Sequence, residues 1–473
     1  MNDSERDLLV VGAGPGGLCA AIEAARGGVD VIVVDDNSRP GGQIFRQPPE
    51  TFEGPGSSAP GKELERGREL LAEARYLGIE IRLETTAWGY FDRRTVELVT
   101  GDLCERIRAR RVVLAPGAYD RPVPMSGWTL PGVFTIGGAQ ALLKSQRTLI
   151  GNRVLLAGSG PLLLVVASQL HEAGADVVAV SEPVASLAAL RQLPAILCQP
   201  GLVLDGLRYR WSLMRGRVPW HSRTRLVRIE GEDRVERAVI GPAAADWSSK
   251  PGDLRTFEVD SVAVGYGLLP SLELPRIFGC DTTYDPATRC WIAVRDGEFQ
   301  STVPGVYVVG DGAGIAGAVA ATVEGRVAGI AVARELGRLP TAEAARRIDG
   351  LRARLRRVDR FRRAIDAVYG PGPGIYDVDE PSVVVCRCEE VTLGQLRAAH
   401  DDGASTFDLL KGWTRTGMGP CQARMCGPFV HEWLARRQGV EHGTLSEGTA
   451  RPPAKAVVSL GALAAAADEG EGP

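Results

Sequence analysis

Four cysteines near the carboxyl end have the residue type and the spacing to bind metal. One residue separates Cys386 from Cys388, 32 residues separate Cys388 from Cys421, and four more precede Cys426. Structural zinc sites favour ligand pairs two to four residues apart, and a C-x-C pair fits that rule poorly. Two thiolate pairs can instead be shared between two irons. The spacing therefore favours a 2Fe–2S cluster, with zinc, disulfides and unliganded thiols as the alternatives.

Local signals indicate how these cysteines are positioned. Residues 383–385 predict an extended entry to the first pair, and Thr392 with Gln395 forms a capping box that begins a helix. Residues 417–420 predict a turn that leads into the second pair, before a helix at 429–437. Backbone amides in such loops and at a helix N-terminus stabilise thiolates.

The amino-terminal segment predicts a dinucleotide site. Apolar residues 8–11 and 31–34 are typical of buried parallel strands, and a G-x-G-x-x-G turn followed by a helical stretch lies between them. The glycines allow a tight turn, close approach of a pyrophosphate and close helix–strand packing, while an acid after the second strand accepts from a ribose hydroxyl. The predicted residues are Gly12, Gly14, Pro15, Gly16, Gly17, Asp35 and Asp36.

A second copy of this pattern begins at residue 153. Strand-like residues 154–157 and 177–180 flank another glycine turn, and the second strand ends in an acid suited to a ribose 2′-hydroxyl. Leu163 occupies the third glycine position, where its bulk is expected to push the helix from the strand. The predicted residues are Gly158, Gly160, Pro161 and Glu182. Two alternatives stay open for this second site: it binds a nucleotide, either NAD or ATP, or it binds nothing.

Three further segments resemble parts of a known flavoprotein family. They are the Pro-Gly-Gly-Gln step with Gly42 and Gln43, the loop after strand-like 112–114 with Ala115 and Gly117, and the late strand 306–309 that leads to Gly310 and Asp311. With the two glycine motifs, they make residues 7–336 similar to the glutathione-reductase-like oxidoreductases, which have two dinucleotide domains.

That resemblance implies FAD, whereas the spacing alone predicts only a dinucleotide. It implies that the first glycine motif binds the FAD pyrophosphate, Asp35 the adenosine ribose and Asp311 the ribityl chain or its phosphate. The segments of Gly42, Gln43 and residues 115–117 would border the flavin. The chain departs from the family's disulfide reductases because residues 7–336 contain no closely spaced cysteine pair. None of the five histidines sits in a recognisable acid–base pattern, so no catalytic residue is assigned.

Residues 386–426 resemble the ferredoxin-like domain of the bacterioferritin-associated ferredoxin type. The last two cysteines are four residues apart here and two apart in the standalone ferredoxins. Together with 117–122 and 127–133, this segment resembles the FAD-containing subunits of heteromeric bacterial dehydrogenases. That group includes sarcosine oxidase-like enzymes, opine oxidase, proline or hydroxyproline dehydrogenase and hydrogen cyanide synthase.

The expected fold class is α/β, with two Rossmann-like domains, one inserted in the other, and a small helical iron–sulfur domain. We expect a discontinuous FAD domain at 1–120 and 258–345, an inserted NAD-like domain at 121–257, an Arg-rich linker helix with a Gly/Pro hinge at 346–380, the 2Fe–2S domain at 381–440, and a flexible tail at 441–473.

Two Arg-rich segments lie outside these motifs. Residues 187–220 combine arginines with aromatic residues, which fits a partner contact or a solvated helical insertion. Nine arginines occupy 346–363, where apolar residues recur at steps of three and four. That period predicts one amphipathic helix docked on the flavin domain, with its arginines facing water or an acidic partner.

Composition excludes several classes of function. The 473 residues carry a net charge of −3, so binding of nucleic acid by bulk positive charge is not expected. The acidic first residues lack a signal-peptide pattern, and glycines and a proline interrupt the longest uncharged run, so neither secretion nor a membrane span is expected. A cytoplasmic location is the expectation.

The leading hypothesis is an electron-transfer subunit of a heteromeric amine or amino-acid dehydrogenase. By resemblance, a partner flavoprotein would oxidise a small secondary amine, and the complex would include a further flavin at the subunit contact and a small third subunit. The rival hypothesis is a self-sufficient NADH-dependent reductase. A non-catalytic scaffold with a structural cluster is the third.

Overall fold

The computed structural model describes residues 4–46, 62–92, 95–185, 188–454 and 458–468. The strands are β1 (Ser4–Val11), β2 (Val31–Val34), β3 (Glu80–Arg82), β4 (Thr85–Phe91), β5 (Thr95–Thr100), β6 (Leu103–Leu114), β7 (Ala118–Asp120), β8 (Val133–Thr135), β9 (Arg153–Gly158), β10 (Asp176–Glu182), β11 (Trp220–Ser222), β12 (Thr224–Glu230), β13 (Arg237–Pro242), β14 (Arg255–Glu258), β15 (Ser261–Gly265), β16 (Leu268–Pro270), β17 (Thr282–Asp285), β18 (Cys290–Ala293), β19 (Val306–Val308), β20 (Val384–Cys386) and β21 (Val391–Thr392). The helices are α1 (Pro15–Arg26), α2 (Lys62–Tyr76), α3 (Ile136–Gln146), α4 (Pro161–Glu172), α5 (Leu193–Ile196), α6 (Pro200–Arg215), α7 (Glu273–Ile277), α8 (Ala318–Glu335), α9 (Thr341–Tyr369), α10 (Leu393–Asp401), α11 (Phe407–Thr414), α12 (Gly427–Gln438) and α13 (Leu460–Asp468).

The first sheet confirms the amino-terminal βαβ unit. Its strand order is β3-β2-β1-β6-β5-β4, and β19 also pairs with β6, parallel to it. Helices α1 and α8 cover one face and cross very closely, because a Cβ on Gly325 of α8 would lie 2.0 Å from the carbonyl oxygen of Gly16. Small residues at this crossing hold the first glycine turn against the sheet.

The second sheet has the order β11-β10-β9-β15-β8, with every pair parallel, and the antiparallel strands β12, β13 and β14 form a separate sheet. This order corrects the domain boundary expected after residue 257. Strand β15 pairs with β9 and β8, so the inserted unit continues to about residue 267. The chain leaves and re-enters the first unit through β7 and β16, which pair with each other.

Helix α9 confirms the amphipathic helix expected from the Arg-rich segment. Ile348 is 1% exposed and packs in the core of the first unit, while Arg347 pairs with Glu23 of α1. The Gly/Pro segment that follows is anchored to the second unit. Arg225, which is buried, donates to the carbonyl oxygens of Gly374 at 2.9 Å and Trp247 at 2.7 Å.

The carboxyl-terminal unit contains β20, β21, α10, α11 and α12. The capping box of Thr392 and Gln395 is present at the start of α10, as expected. The flexibility expected of the tail stays a prediction, and part of the tail packs on the first unit. Ala454 and Ala462 are buried against the first unit, and the amide of Ala454 donates to the carbonyl oxygen of Trp88 at 2.8 Å. Residues 469–473 lie outside the described residues.

Candidate functional site: a dinucleotide cavity beside a four-cysteine loop

A cavity of about 740 Å³ opens at the carboxyl ends of β1, β2, β6 and β19. Ligands of open α/β sheets bind at this edge, and the volume is in the usual range for cofactor sites. The structure places almost all of the residues predicted for the first site on its wall. They are Gly12, Gly14, Pro15, Gly16, Asp35, Asp36, Gly42, Gln43, Ala115, Gly117, Gly310 and Asp311.

At the glycine turn, neighbouring backbone atoms lie too close for any side chain. The positions must therefore be glycine, and the backbone stays open to a ligand. A Cβ on Gly12 would lie 2.3 Å from the carbonyl oxygen of Ala115, and one on Gly42 would lie 2.9 Å from Cα of Gly14. Gly17 lies behind the wall, where a Cβ would meet the carbonyl oxygen of Gly12 at 1.8 Å. Helix α1 has no side-chain cap, so its first amides remain available to a phosphate.

Two acids hold the backbone around this cavity. Asp35 accepts from the amide of Ala13 at 2.6 Å, which joins the end of β2 to the glycine turn. Asp311 accepts from the amides of Ala316 and Gly317, both at 2.7 Å. Burial raises the pKa of Asp311, and these two amides partly offset that effect. A carboxylate oxygen has further lone pairs, so both acids can also accept from a ligand hydroxyl.

Sequence reasoning missed several charged and polar residues of the wall. They are Arg46, Asp120, Gln140, Lys144, Glu273 and Arg424. Arg424 is the most informative of them because it lies between the last two cysteines and yet reaches the cavity. It donates to Glu273, the first residue of α7, at 2.6 Å. Its position between two predicted cysteine ligands indicated that it lies near the metal site. Sequence does not fix the direction of a side chain, so its reach to the cavity could not be predicted.

The four cysteines meet as two pairs. The Cys426 thiol contacts Cys386, which lowers the pKa of Cys386 to about 6 and raises that of Cys426. Burial, and then contact with Cys388, raises the pKa of Cys421. In the described part of the chain, no three Cys, His, Asp or Glu side chains converge as ligands of one metal ion. Four thiols in two contacting pairs fit a binuclear centre in which each iron is held by two cysteines.

Neighbouring turns and strands fix these pairs. A Cβ on Gly419 would lie 2.3 Å from that of Cys388, so the turn at 417–420 packs directly on the pair of Cys388 and Cys421. Trp128 donates from Nε1 to the carbonyl oxygen of Val384 at 2.7 Å, two residues before Cys386. The tryptophan motif at 127–133 therefore ties the inserted unit to the entry of the cysteine loop.

Two of the five histidines meet in a group that sequence reasoning did not foresee. His442 Nδ1 lies 3.1 Å from a carboxylate oxygen of Glu432, and the rings of His431 and His442 are 5.9 Å apart. Burial lowers the pKa of His431 to about 3, so this ring is neutral and packs against Phe407. Neither histidine lines the large cavity.

The second glycine motif is partly engaged by the chain itself. Ser159 donates to the carbonyl oxygen of Tyr369 at 3.3 Å, at the end of α9. Trp220 Nε1 donates to Glu182 at 3.2 Å. Leu163 is fully buried in the core of this unit, so the fold accommodates its bulk.

Replacing Glu182 with glutamine is expected to stabilise the protein more at alkaline than at acidic pH. Burial raises the pKa of Glu182 from 4.5 to about 7, against the smaller opposite effects of Trp220 and the Gly160 amide. The folded state therefore binds the proton more tightly than the unfolded state, and wild-type stability falls as pH rises from about 4.5 to 7. The gain for the variant should reach up to about 3 kcal/mol above pH 8. Melting temperatures at pH 5 and 8.5 measure it, and an equal gain at both would contradict the expectation.

The fold and the two sites define a class, an oxidoreductase with a dinucleotide-binding fold and an appended iron–sulfur loop. The chain belongs to the pyridine nucleotide-disulphide oxidoreductase family, whose model matches residues 6–337. A BFD-like [2Fe-2S] binding domain matches residues 384–436. FAD and a 2Fe–2S cluster are therefore its cofactors, and the cavity and the cysteine pairs fit them.

Similar proteins match along nearly the whole chain. An opine oxidase subunit from Rhizobium meliloti (strain 1021) is 35% identical over 97% of this chain and 98% of that protein. Hydrogen cyanide synthase subunit HcnB of Pseudomonas aeruginosa is 34% identical over 91% of this chain and 93% of its own. The crystal structure of L-proline dehydrogenase from P. horikoshii shares the fold, with a TM-score of 0.68 and 20% identity over 97% of this chain and 79% of that one.

Among the described helices, none combines the length and the apolar character that crossing a bilayer requires.

Proposed function

We propose that this chain is the electron-transfer subunit of a heteromeric dehydrogenase or oxidase that acts on a secondary amine or amino acid of the proline, hydroxyproline, opine or sarcosine type. A partner flavoprotein subunit would oxidise the C–N bond. The observation that carries the proposal is the similarity to the opine oxidase subunit, which extends along nearly the full length of both chains.

The cavity supports this division of labour. Its wall contains a side chain of the cysteine loop, Arg424, so the two cofactor sites adjoin. Among the described residues of that wall there is no cysteine and no histidine. The described part of the wall therefore offers neither a dithiol beside the flavin nor an imidazole base for a substrate. Such a site suits transfer of electrons better than oxidation of an amine.

The site residues take the following roles in this proposal. The turn at Gly12, Gly14 and Gly16 binds the FAD pyrophosphate, Asp35 the ribose, and Asp311 the ribityl chain. When bound, FAD accepts electrons in pairs and a 2Fe–2S cluster passes them singly. A nucleotide, NAD or ATP, at Gly158, Gly160, Pro161 and Glu182 remains part of the proposal, as do an interface flavin and a small third subunit.

Anaerobic reduction tests the proposal. The purified chain alone should keep its flavin absorbance when mixed with proline, an opine or sarcosine, whereas the complex isolated with its partner subunits should bleach with one of them. Full-rate amine oxidation by the isolated chain would contradict the proposal. Rapid bleaching of the isolated chain by NADH would favour the reductase hypothesis instead.

Replacing Arg424 with methionine is expected to lower the reduction potential of the cluster by on the order of 50 mV, because a nearby positive charge favours the reduced, more negative form. Glu273→Gln should shift the potential in the opposite direction, since it leaves the Arg424 charge unpaired. Redox titration followed by EPR measures both. Arg424→Lys keeps the charge and should retain most of the wild-type potential. Shifts of the same sign in Arg424→Met and Glu273→Gln would mean that the ion pair is purely structural.

A further inference from the structure

Helix α6 has an exposed apolar stripe. Leu204, Leu207, Trp211 and Met214 follow one another at steps of three and four residues, so they share one face of the helix. Their exposed fractions are 66%, 61%, 60% and 63%, and the described part of the chain leaves this face uncovered. Contiguous apolar patches of this kind on soluble proteins mark interaction sites, unlike single exposed apolar residues.

The stripe lies on a fixed element. Leu213, on the opposite side of α6, is fully buried in the core of the inserted unit. Ser212 of α6 donates to Glu172 of α4 at 2.8 Å, and Ser168 donates to the same carboxylate at 2.9 Å. Because its inner side is held in this way, the helix presents the stripe in one orientation, and a partner would not have to order it on binding.

Helix α6 is linked to the wall of the flavin cavity through α4 and α3. Helices α3, α4 and α6 pack in a row, and Gln140 of α3, on the cavity wall, donates to Gln169 of α4 at 3.0 Å. Lys144, also on that wall, pairs with Glu63 at 2.9 Å. Tyr209 lies one turn before Leu213, on the inner side of α6, and burial raises its pKa. The inserted unit that carries the stripe therefore also supplies part of the cavity wall.

Charge indicates what kind of surface binds there. Arg208, Arg215 and Arg217 are exposed along and just beyond α6, and Asp205 is the single acid within the helix. The guanidinium of Arg215 lies 5.3 Å from the centre of the Trp211 ring, so charge borders the stripe directly. A second copy of this chain would bring two sets of these arginines together around one seam. An apolar groove with an acidic rim complements the stripe instead.

We infer that α6 is the docking helix for the amine-oxidising flavoprotein subunit, which receives Leu207 and Trp211 in an apolar groove rimmed by acidic residues. This inference rests on the proposed function, since it names the surface that the partner would use. It also assigns a role to the Arg- and aromatic-rich segment at 187–220. The sequence alone allowed two interpretations of that segment, a partner contact or a solvated helical insertion.

The test uses the complex isolated from the native host through a tag on this full-length chain. In the Leu207→Glu/Trp211→Glu variant, we expect affinity for the flavoprotein subunit to fall on the order of thirtyfold or more, as for central apolar anchors of other interfaces. FAD, iron and sulfide on the tagged chain should not change, because neither residue touches either site. Arg208→Glu/Arg215→Glu should weaken the complex as well, and high salt should reduce the difference from wild type. Leu103→Glu, at an exposed leucine of a distant hairpin, is the matched control.

Four results separate the possible failures. A complex of unchanged affinity in the Leu207→Glu/Trp211→Glu variant overturns the assignment of α6 and leaves the proposed function intact. Equal weakening in Leu103→Glu overturns it too, since the effect is then not local. If the isolated wild-type chain is a dimer that this double variant dissociates, the occupant is a second copy and the assignment is wrong. If no amine-oxidising subunit co-purifies with wild type, the proposed function itself fails.

Discussion

Replacing Cys426 with serine should remove the iron and acid-labile sulfide from the chain and leave FAD bound. Cys426 is fully buried, contacts Cys386 and immediately precedes α12, so no water or other side chain can easily take its place as a ligand. A serine hydroxyl is a harder and far less acidic ligand than a thiol. We expect the iron content to fall at least roughly tenfold, since changes beyond the direct ligands already cost that much at metal sites. Iron and sulfide analysis, EPR and flavin absorbance measure the outcome.

The control for this variant is Cys198→Ser, which changes a free thiol in the segment between α5 and α6 and should leave iron, sulfide and flavin at wild-type levels. Serine at Cys386, Cys388 or Cys421 should behave like serine at Cys426. A variant that retained two irons per chain would show that the residue in question is not a ligand. Loss of flavin together with iron would show that the two sites fold as one unit.

The sequence predicted those parts of the fold that depend on a few neighbouring residues in the chain. The glycine turn between two apolar strands, the capping box at Thr392 and the cysteine spacing each require particular residue types at particular offsets. The amphipathic helix predicted from residue 346 was also recognisable, because its apolar positions repeat over many turns, and the structure extends it to Thr341–Tyr369.

The parts that sequence did not predict depend on partners far away in the chain. Residues 261–265 were expected in the FAD domain, but nothing within them says which of the two sheets they join, and they pair with β9 of the second sheet. The Ala-rich tail resembles a solvated segment, yet Ala454 and Ala462 pack closely because their side chains are small. The reach of Arg424 from the cysteine loop to the cavity is likewise a matter of tertiary packing.

Replacing Gly12 with alanine should abolish FAD binding. Gly12 has φ +105°, a conformation that alanine adopts at a cost of about 1 to 2 kcal/mol. The new Cβ would also lie 2.3 Å from the carbonyl oxygen of Ala115, whose amide donates to Val11 at 2.8 Å. Relief of that contact would move the turn away from the loop after β6, and both border the cavity. We expect the ratio of flavin to protein to fall at least about tenfold, which flavin absorbance after gel filtration measures.

Gly174→Ala separates backbone strain from the contact with Ala115. Gly174 has φ +98°, close to that of Gly12, but a Cβ there would have no atom within 4 Å. The two variants thus carry the same conformational cost, and only Gly12→Ala disturbs the cavity. Gly174→Ala should therefore keep its flavin, and both should keep iron and sulfide because the cysteine pairs lie on other elements. Equal flavin loss in both variants would attribute the effect to strain and would remove the Gly12 turn from the binding site. Flavin loss confined to Gly12→Ala, together with iron loss confined to Cys426→Ser, would show that each cofactor binds through its own set of residues.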